Sequence, residues 1–235
     1  MSKILYFVCF FLCLQPVFSQ KRGYVQFNAG PSVPLGEFAS NVTGKQLAGL
    51  AGGGYAVEFV AAHRVLKDNL GLALQLTYNQ NEINQVNLVS QANLRLDANW
   101  KVKNVAQWTM TTATAGPFWR LEKGDFRMDV RALAGVALVN SPAFALMGTY
   151  LNRAATVDTQ SKTAQGFAFG ASGSLAYTIY GNLAVCIGLS YLQTQITLTD
   201  VPSRTTIGNT NAAALNTETL PVAVLNATGG LRFKF

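Results

Sequence analysis

Charge is what this chain of 235 residues has least of. Asp, Glu, Lys and Arg make up only 12%, about half the share of an ordinary soluble domain, which leaves too little charge to clothe a fully hydrated surface. Histidine occurs once, at His63, so a Ser-His-Asp triad has a single candidate base. Cysteine occurs at Cys9, Cys13 and Cys186. One His and so few thiols exclude a usual zinc site. Closely spaced carboxylates are missing from the prospective loops, which excludes a calcium cage. No Lys/Arg cluster interleaved with aromatics is present, so nucleic acid is not an expected partner. Gly52-Gly53-Gly54 precede a strand and not a helix, so they form no phosphate loop. Neither a metal nor a cofactor is implied. An apolar run long enough for a transmembrane helix, about 20 residues, is absent too.

The longest apolar run, Ile4 to Leu14, follows Lys3 and is broken by Gln15-Pro16 before the small residue Ser19. That order reads as a secretory leader over residues 1–20, with the mature domain spanning 21–235. A lipoprotein leader is disfavoured, because Phe10-Phe11-Leu12 before Cys13 lacks small residues. Cleavage leaves Cys186 alone, so no internal disulfide forms. The leader carries one of the 18 basic residues and none of the 11 acidic ones, so the mature chain keeps a net charge of +6. Attraction to anionic lipopolysaccharide is the expected use of that charge.

Apolar residues are an ordinary 49%, and Gly, Ala, Thr, Asn, Gln and Ser replace the missing charge. Their order has period two. Phe167, Phe169, Ala171, Gly173, Leu175, Tyr177 and Ile179 alternate with small or polar residues, which a strand does and a helix cannot. The pattern recurs at 70–79, 126–138, 183–191 and 225–235, and more weakly at 23–30, 55–64 and 108–119. The expected fold is therefore all-β: a closed antiparallel transmembrane β-barrel of about eight strands. Pro117 calls for a bulge or a strand end, since it cannot donate to a ladder. Connections at 65–69, 121–125 and 180–182 are short, whereas 31–53, 80–107, 140–165 and 198–219 are long. Transmembrane barrels have short periplasmic turns and long extracellular loops, which places both ends of the domain in the periplasm. Tyr24, Phe118, Trp119, Phe126, Tyr177, Phe233 and Phe235 are expected in a periplasmic aromatic girdle. Tyr55, Tyr78, Trp108, Phe167 and Tyr191 are expected in an outer one.

Leu231, Phe233 and Phe235, alternating and ending on an aromatic, resemble the C-terminal signature of bacterial outer-membrane barrels. The segment Gly30 to Phe38 resembles the start of porin-like barrels of Bacteroidota. The whole strand plan is similar to that of OmpA/OmpX-type and OmpW-like barrels. The resemblance implies outer-membrane residence in a Gram-negative bacterium, contact with outer-membrane lipids, and assembly by the barrel-assembly machinery.

Inward parity gathers Glu58, Gln75, Arg127, Asp129, Arg131, Arg232 and Lys234. An eight-stranded barrel is narrow enough for side chains to fill, and buried charges must be paired. The expectation is a salt-bridged plug centred on Glu58 and Arg131, with a charge-gated narrow pore as the rival and Arg232 and Lys234 solvated at the rim as a variant. His63 has lipid-facing parity at the periplasmic end, the wrong end for lipid A chemistry, so no catalytic residue is assigned. The expected role is structural or surface-binding, with an extracellular ligand held by the long loops. A lateral route for small hydrophobic molecules is the alternative, and a lipid A-modifying enzyme is the third.

Overall fold

The computed structural model describes residues 23–40, 49–65, 69–96 and 99–235. The expected leader lies outside the described residues. The strands are β1 (Gly23–Leu35), β2 (Ala51–Arg64), β3 (Leu70–Ile83), β4 (Asn99–Val105), β5 (Trp108–Lys123), β6 (Phe126–Asn140), β7 (Phe144–Tyr150), β8 (Arg153–Thr159), β9 (Thr163–Tyr180), β10 (Leu183–Ile207) and β11 (Thr210–Lys234). One α-helix, α1 (Gln85–Leu96), precedes β4, and a short 3-10 helix (Gly36–Phe38) follows β1.

Eight strands close a ring in the order β11-β1-β2-β3-β5-β6-β9-β10, with β10 paired back onto β11. The closing seam runs from Tyr24↔Lys234 to Leu35↔Ala223. At its lower end the Gly23 and Phe235 backbones exchange hydrogen bonds of 3.0 and 3.1 Å. Every ring pairing is antiparallel. Closure leaves no unpaired edge within the ring, a condition for crossing a bilayer with strands. No described helix is long and apolar enough to cross a membrane.

Alternation sets the two faces. In β3, Leu70, Leu72, Leu74, Leu76 and Tyr78 face outward while Gly71, Ala73, Gln75, Thr77 and Asn79 are buried. Phe27, Leu72, Phe167 and Ile187 are each more than half exposed on the outer face. Two turns at one end place glycine at the first central position, Gly124 at φ +61° and Gly181 at φ +52°. A tight hairpin requires left-handed backbone at that position.

Several expectations change. Pro117 is neither a bulge nor an end. The β5–β6 register is the same before it (Ala115↔Ala134) and after it (Phe118↔Arg131), and β5 continues to Lys123, so only the pairs at Gly116 and Pro117 are lost. The first long loop starts later than expected, because β1 runs on to Leu35. The last is no loop: β10 and β11 continue as a 25-residue hairpin closed at Gly208, φ +56°. The two middle connections hold β4, β7, β8 and α1. β8 pairs with the upper part of β10, so the sheet order continues β10-β8-β7-β4 beyond the ring. Three aromatics assigned to the girdles are inside: Tyr24, Phe118 and Trp108 are 0%, 1% and 7% exposed. Strict parity explains each. Tyr24 is three residues from outward Phe27, Phe118 adjoins outward Trp119, and Trp108 shares its face with buried Met110, Thr112 and Thr114. Trp119, Phe126, Tyr177 and Phe233 remain outward at the short-turn end, and Tyr55, Tyr78 and Phe167 at the other.

Candidate functional site

The lumen has two storeys. The lower one, toward the short turns, is polar and ionic. Asp129 on β6 is fully buried and holds two guanidinium groups. Arg120 on β5 donates from Nε to Oδ1 at 2.6 Å and from Nη2 to Oδ2 at 3.3 Å. Arg232 on β11 reaches Oδ2 with Nη1 at 2.7 Å. The β5–β6 register makes Arg120 and Asp129 direct cross-strand partners. Both guanidinium groups lie over the Tyr24 ring, at 4.7 and 4.1 Å from its centroid, so the aromatic ring adds a cation–π contact to the ion pairs.

The network widens from there. Arg232 donates to Gln26 Oε1 at 2.9 and 2.6 Å and to Ser174 Oγ at 2.8 Å. Arg131 donates to the same Ser174 Oγ at 2.5 Å, to Ser172 Oγ at 3.0 Å and to Gln75 Oε1 at 3.5 Å. Glu58 accepts from the Ser190 hydroxyl and, at 3.1 Å, from Thr228 Oγ1. Asn226, Asn79 and Ser32 continue the chain of bonds upward. Cys186 donates to Asn28 Oδ1 at 3.2 Å. The set around Asp129 and Arg131 joins β1, β3, β5, β6, β9 and β11, and a separate set around Glu58 and Asn226 joins β1, β2, β3, β10 and β11.

The structure thus joins Gln75, Asp129, Arg131 and Arg232, and seats Glu58 beside them. It does not centre them on a Glu58–Arg131 pair. Among the described residues no ion pair joins those two, and the ionic centre is Asp129. Arg232 is fully buried and not solvated at the rim. Arg127 and Lys234 lie below the network at the mouth, where both donate to Thr178 Oγ1. Sequence reasoning missed Arg120, Tyr24, Gln26 and Ser174. The Gly124 turn carried the signal for Arg120: pairing Lys123 with Phe126 sets Arg120 opposite Asp129.

The upper storey is apolar. Phe38, Leu50, Ile83, Leu88, Trp100, Trp108, Leu146, Leu192, Ile196, Leu198 and Leu220 belong to one buried cluster. Phe38 and Trp108 meet edge to face at 5.3 Å, and Trp108 Nε1 donates to the Gly49 carbonyl at 2.9 Å. Leu146 on β7 and the α1 residue Leu88 come from the long connections, which fold in over the opening. The terminal signature lies elsewhere: Leu231 and Phe233 are half exposed on the outer wall.

A closed ring, apolar outside and hydrogen-bonded inside, inverts the pattern of a soluble barrel. This chain folds as a closed, eight-stranded antiparallel barrel of transmembrane type. Neither a protein-family model nor a curated protein matches it. Among solved structures it is similar to Neisserial surface protein A, at 12% identity over 91% of this chain and 97% of that one, with a TM-score of 0.46. It is also similar to a major outer membrane protein from Thermus thermophilus, at 14% identity over 91% and 99%, TM-score 0.43. A third is Ail of Yersinia pestis, in complex with the heparin analogue sucrose octasulfate, at 12% identity over 90% and 99%, TM-score 0.41.

Proposed function

We propose that this barrel is a structural or surface-binding protein of the outer membrane that neither conducts solutes nor catalyses a reaction. The observation that carries the reading is the two-storey filling of the lumen. The lower storey packs Arg120, Asp129, Arg131 and Arg232 into bonded contact, and the upper one packs Trp108, Phe38 and Leu192. With its interior occupied, the barrel presents to the exterior chiefly the extended β10–β11 hairpin and the sheet of β8, β7 and β4. An extracellular ligand would meet those strands. Leu231, Phe233 and Phe235 would be read by the assembly machinery, and the residues before Gly23 would direct export. His63, the sole histidine, sits on β2 at the short-turn end and is offered no catalytic role. Single-channel recording of the folded protein in a planar bilayer tests the reading. Verified insertion without openings is expected, and steady, reproducible openings would overturn it.

One observation favours the lateral-route alternative. Where the β5–β6 ladder loses its pairs at Gly116 and Pro117, the outer wall has a shallow apolar depression lined by Ala115, Ala132, Ala134, Ala171 and Phe169. A small hydrophobic solute that binds the folded protein, and binds less well to Ala132→Phe, would support that route over the sealed barrel.

A further inference from the structure

The net positive charge is not spread evenly over the barrel. Among the described residues the extension above the ring nearly balances, with six Lys and Arg residues against five Asp and Glu. The mouth at the short-turn end, periplasmic by the rule for outer-membrane barrels, does not. There Arg64, Lys123, Arg127 and Lys234 stand against Glu122 and Asp125. Arg127 and Lys234 share the inward parity of Asp129 and Arg232 on their own strands, so they face the axis of the mouth and not the lipid.

Their contacts leave positive charge in excess. Arg127 Nη1 and Lys234 Nζ both donate to Thr178 Oγ1, at 2.6 and 2.9 Å, while that hydroxyl's own proton goes to the Asp125 carbonyl at 3.3 Å. Two cations therefore share one neutral oxygen. Lys234 makes no carboxylate contact within 4 Å among the described residues. Arg127 reaches Glu122 Oε1 only at 3.4 Å, and Arg64 and Arg120 approach the same oxygen at 3.6 Å. A direct charge-assisted bond is shorter, about 2.7–2.9 Å. Like charges held this close are relieved by an anion placed between them. Directly above them the buried Arg120–Asp129–Arg232 layer fills the lumen, so the two cations stand at its lower mouth.

The geometry points to an oxyanion site at this mouth, formed by Arg127 and Lys234 with Thr178 holding them together, that takes the phosphate group of a soluble periplasmic compound. A planar guanidinium matches two phosphate oxygens and an ammonium supplies a point charge beside it. The inward aim of both side chains favours a soluble phosphate over a lipid headgroup of the adjoining leaflet.

Calorimetric titration of the folded, detergent-purified protein with tripolyphosphate at constant ionic strength tests the site. Saturable binding is expected, weakened at least tenfold by Arg127→Gln and by Lys234→Gln and unchanged by Lys103→Gln in the outer sheet. A mobility shift on unboiled gels shows that each variant is folded. Absence of saturable heat in the unaltered protein, or equal binding by the folded Arg127→Gln/Lys234→Gln double variant, would overturn the site. Repeating the titration in nanodiscs identifies the source. Undiminished tripolyphosphate binding after part of the zwitterionic lipid is replaced by phosphatidylglycerol supports the soluble ligand, and lost binding would overturn it in favour of a headgroup.

Discussion

Asp129 is the residue on which the lower storey depends. Among the described residues it is the one carboxylate in contact with both Arg120 and Arg232, and all three side chains are almost completely buried. Removing one partner of a buried charge set leaves the others uncompensated, at a cost of about 3–5 kcal/mol. Asp129→Asn is therefore expected to lower resistance to denaturant by an amount in that range, read from the unfolding midpoint of the refolded barrel. Glu58 is also buried, yet its partners are the hydroxyls of Ser190 and Thr228. Glu58→Gln retains an acceptor for one of them and strands no cation, so it is expected to cost about 1 kcal/mol, the worth of one hydrogen bond. Equal losses in the two variants would show that the ion pairs at Asp129 carry no special weight.

At the scale of the strand, the outward face must tolerate lipid and nothing more polar. Leu74 lies midway along the outward run Leu70 to Tyr78 of β3, a length that suits the roughly 9–11 residues of a tilted transmembrane strand. Leu74→Arg is expected to destabilise the barrel in lipid by about 2–4 kcal/mol, the cost of Arg near the midplane. Leu215→Arg, on the exposed upper hairpin, should change stability by less than about 0.5 kcal/mol. Refolding equilibria in liposomes would measure both, and equal effects would place β3 outside the bilayer. The same alternation made the eight ring strands legible from residues alone, since each puts apolar side chains on one parity. What was not legible follows from the same fact. Parity says which face a residue takes but not where a strand stops, so the continuation of β10 past Leu198 through Thr- and Ser-rich sequence passed for a loop. Nor does parity identify partners across the lumen. Glu58 and Arg131 share a face and a height, but contact depends on side-chain reach over a twisted wall, and Arg131 meets Ser172 and Ser174 instead.

At the scale of the whole molecule the two storeys act as seals in series. The lower one blocks with side chains that are bonded to one another. The upper one blocks with apolar surface that excludes water even where a gap opens, as hydrophobic constrictions do in gated pores. Opening either alone leaves the other in the path of an ion. A variant with Phe38→Ser and Trp108→Ser removes the aromatic pair of the upper seal, but the bonded layer below it persists. A variant with Arg120→Ser, Asp129→Ser and Arg232→Ser replaces the bonded ionic set together, so no member of it is left as a buried charge without its partner, yet Leu192, Ile196 and Leu220 remain above it. Both are expected to be silent in a planar bilayer, and the combined variant is expected to conduct. Openings in the triple variant alone would mean that the apolar storey is permeable and that the ionic layer is the whole barrier. Openings in the double variant alone would mean that the bonded side chains leave a path for ions and that the protein is closed by its outer cap.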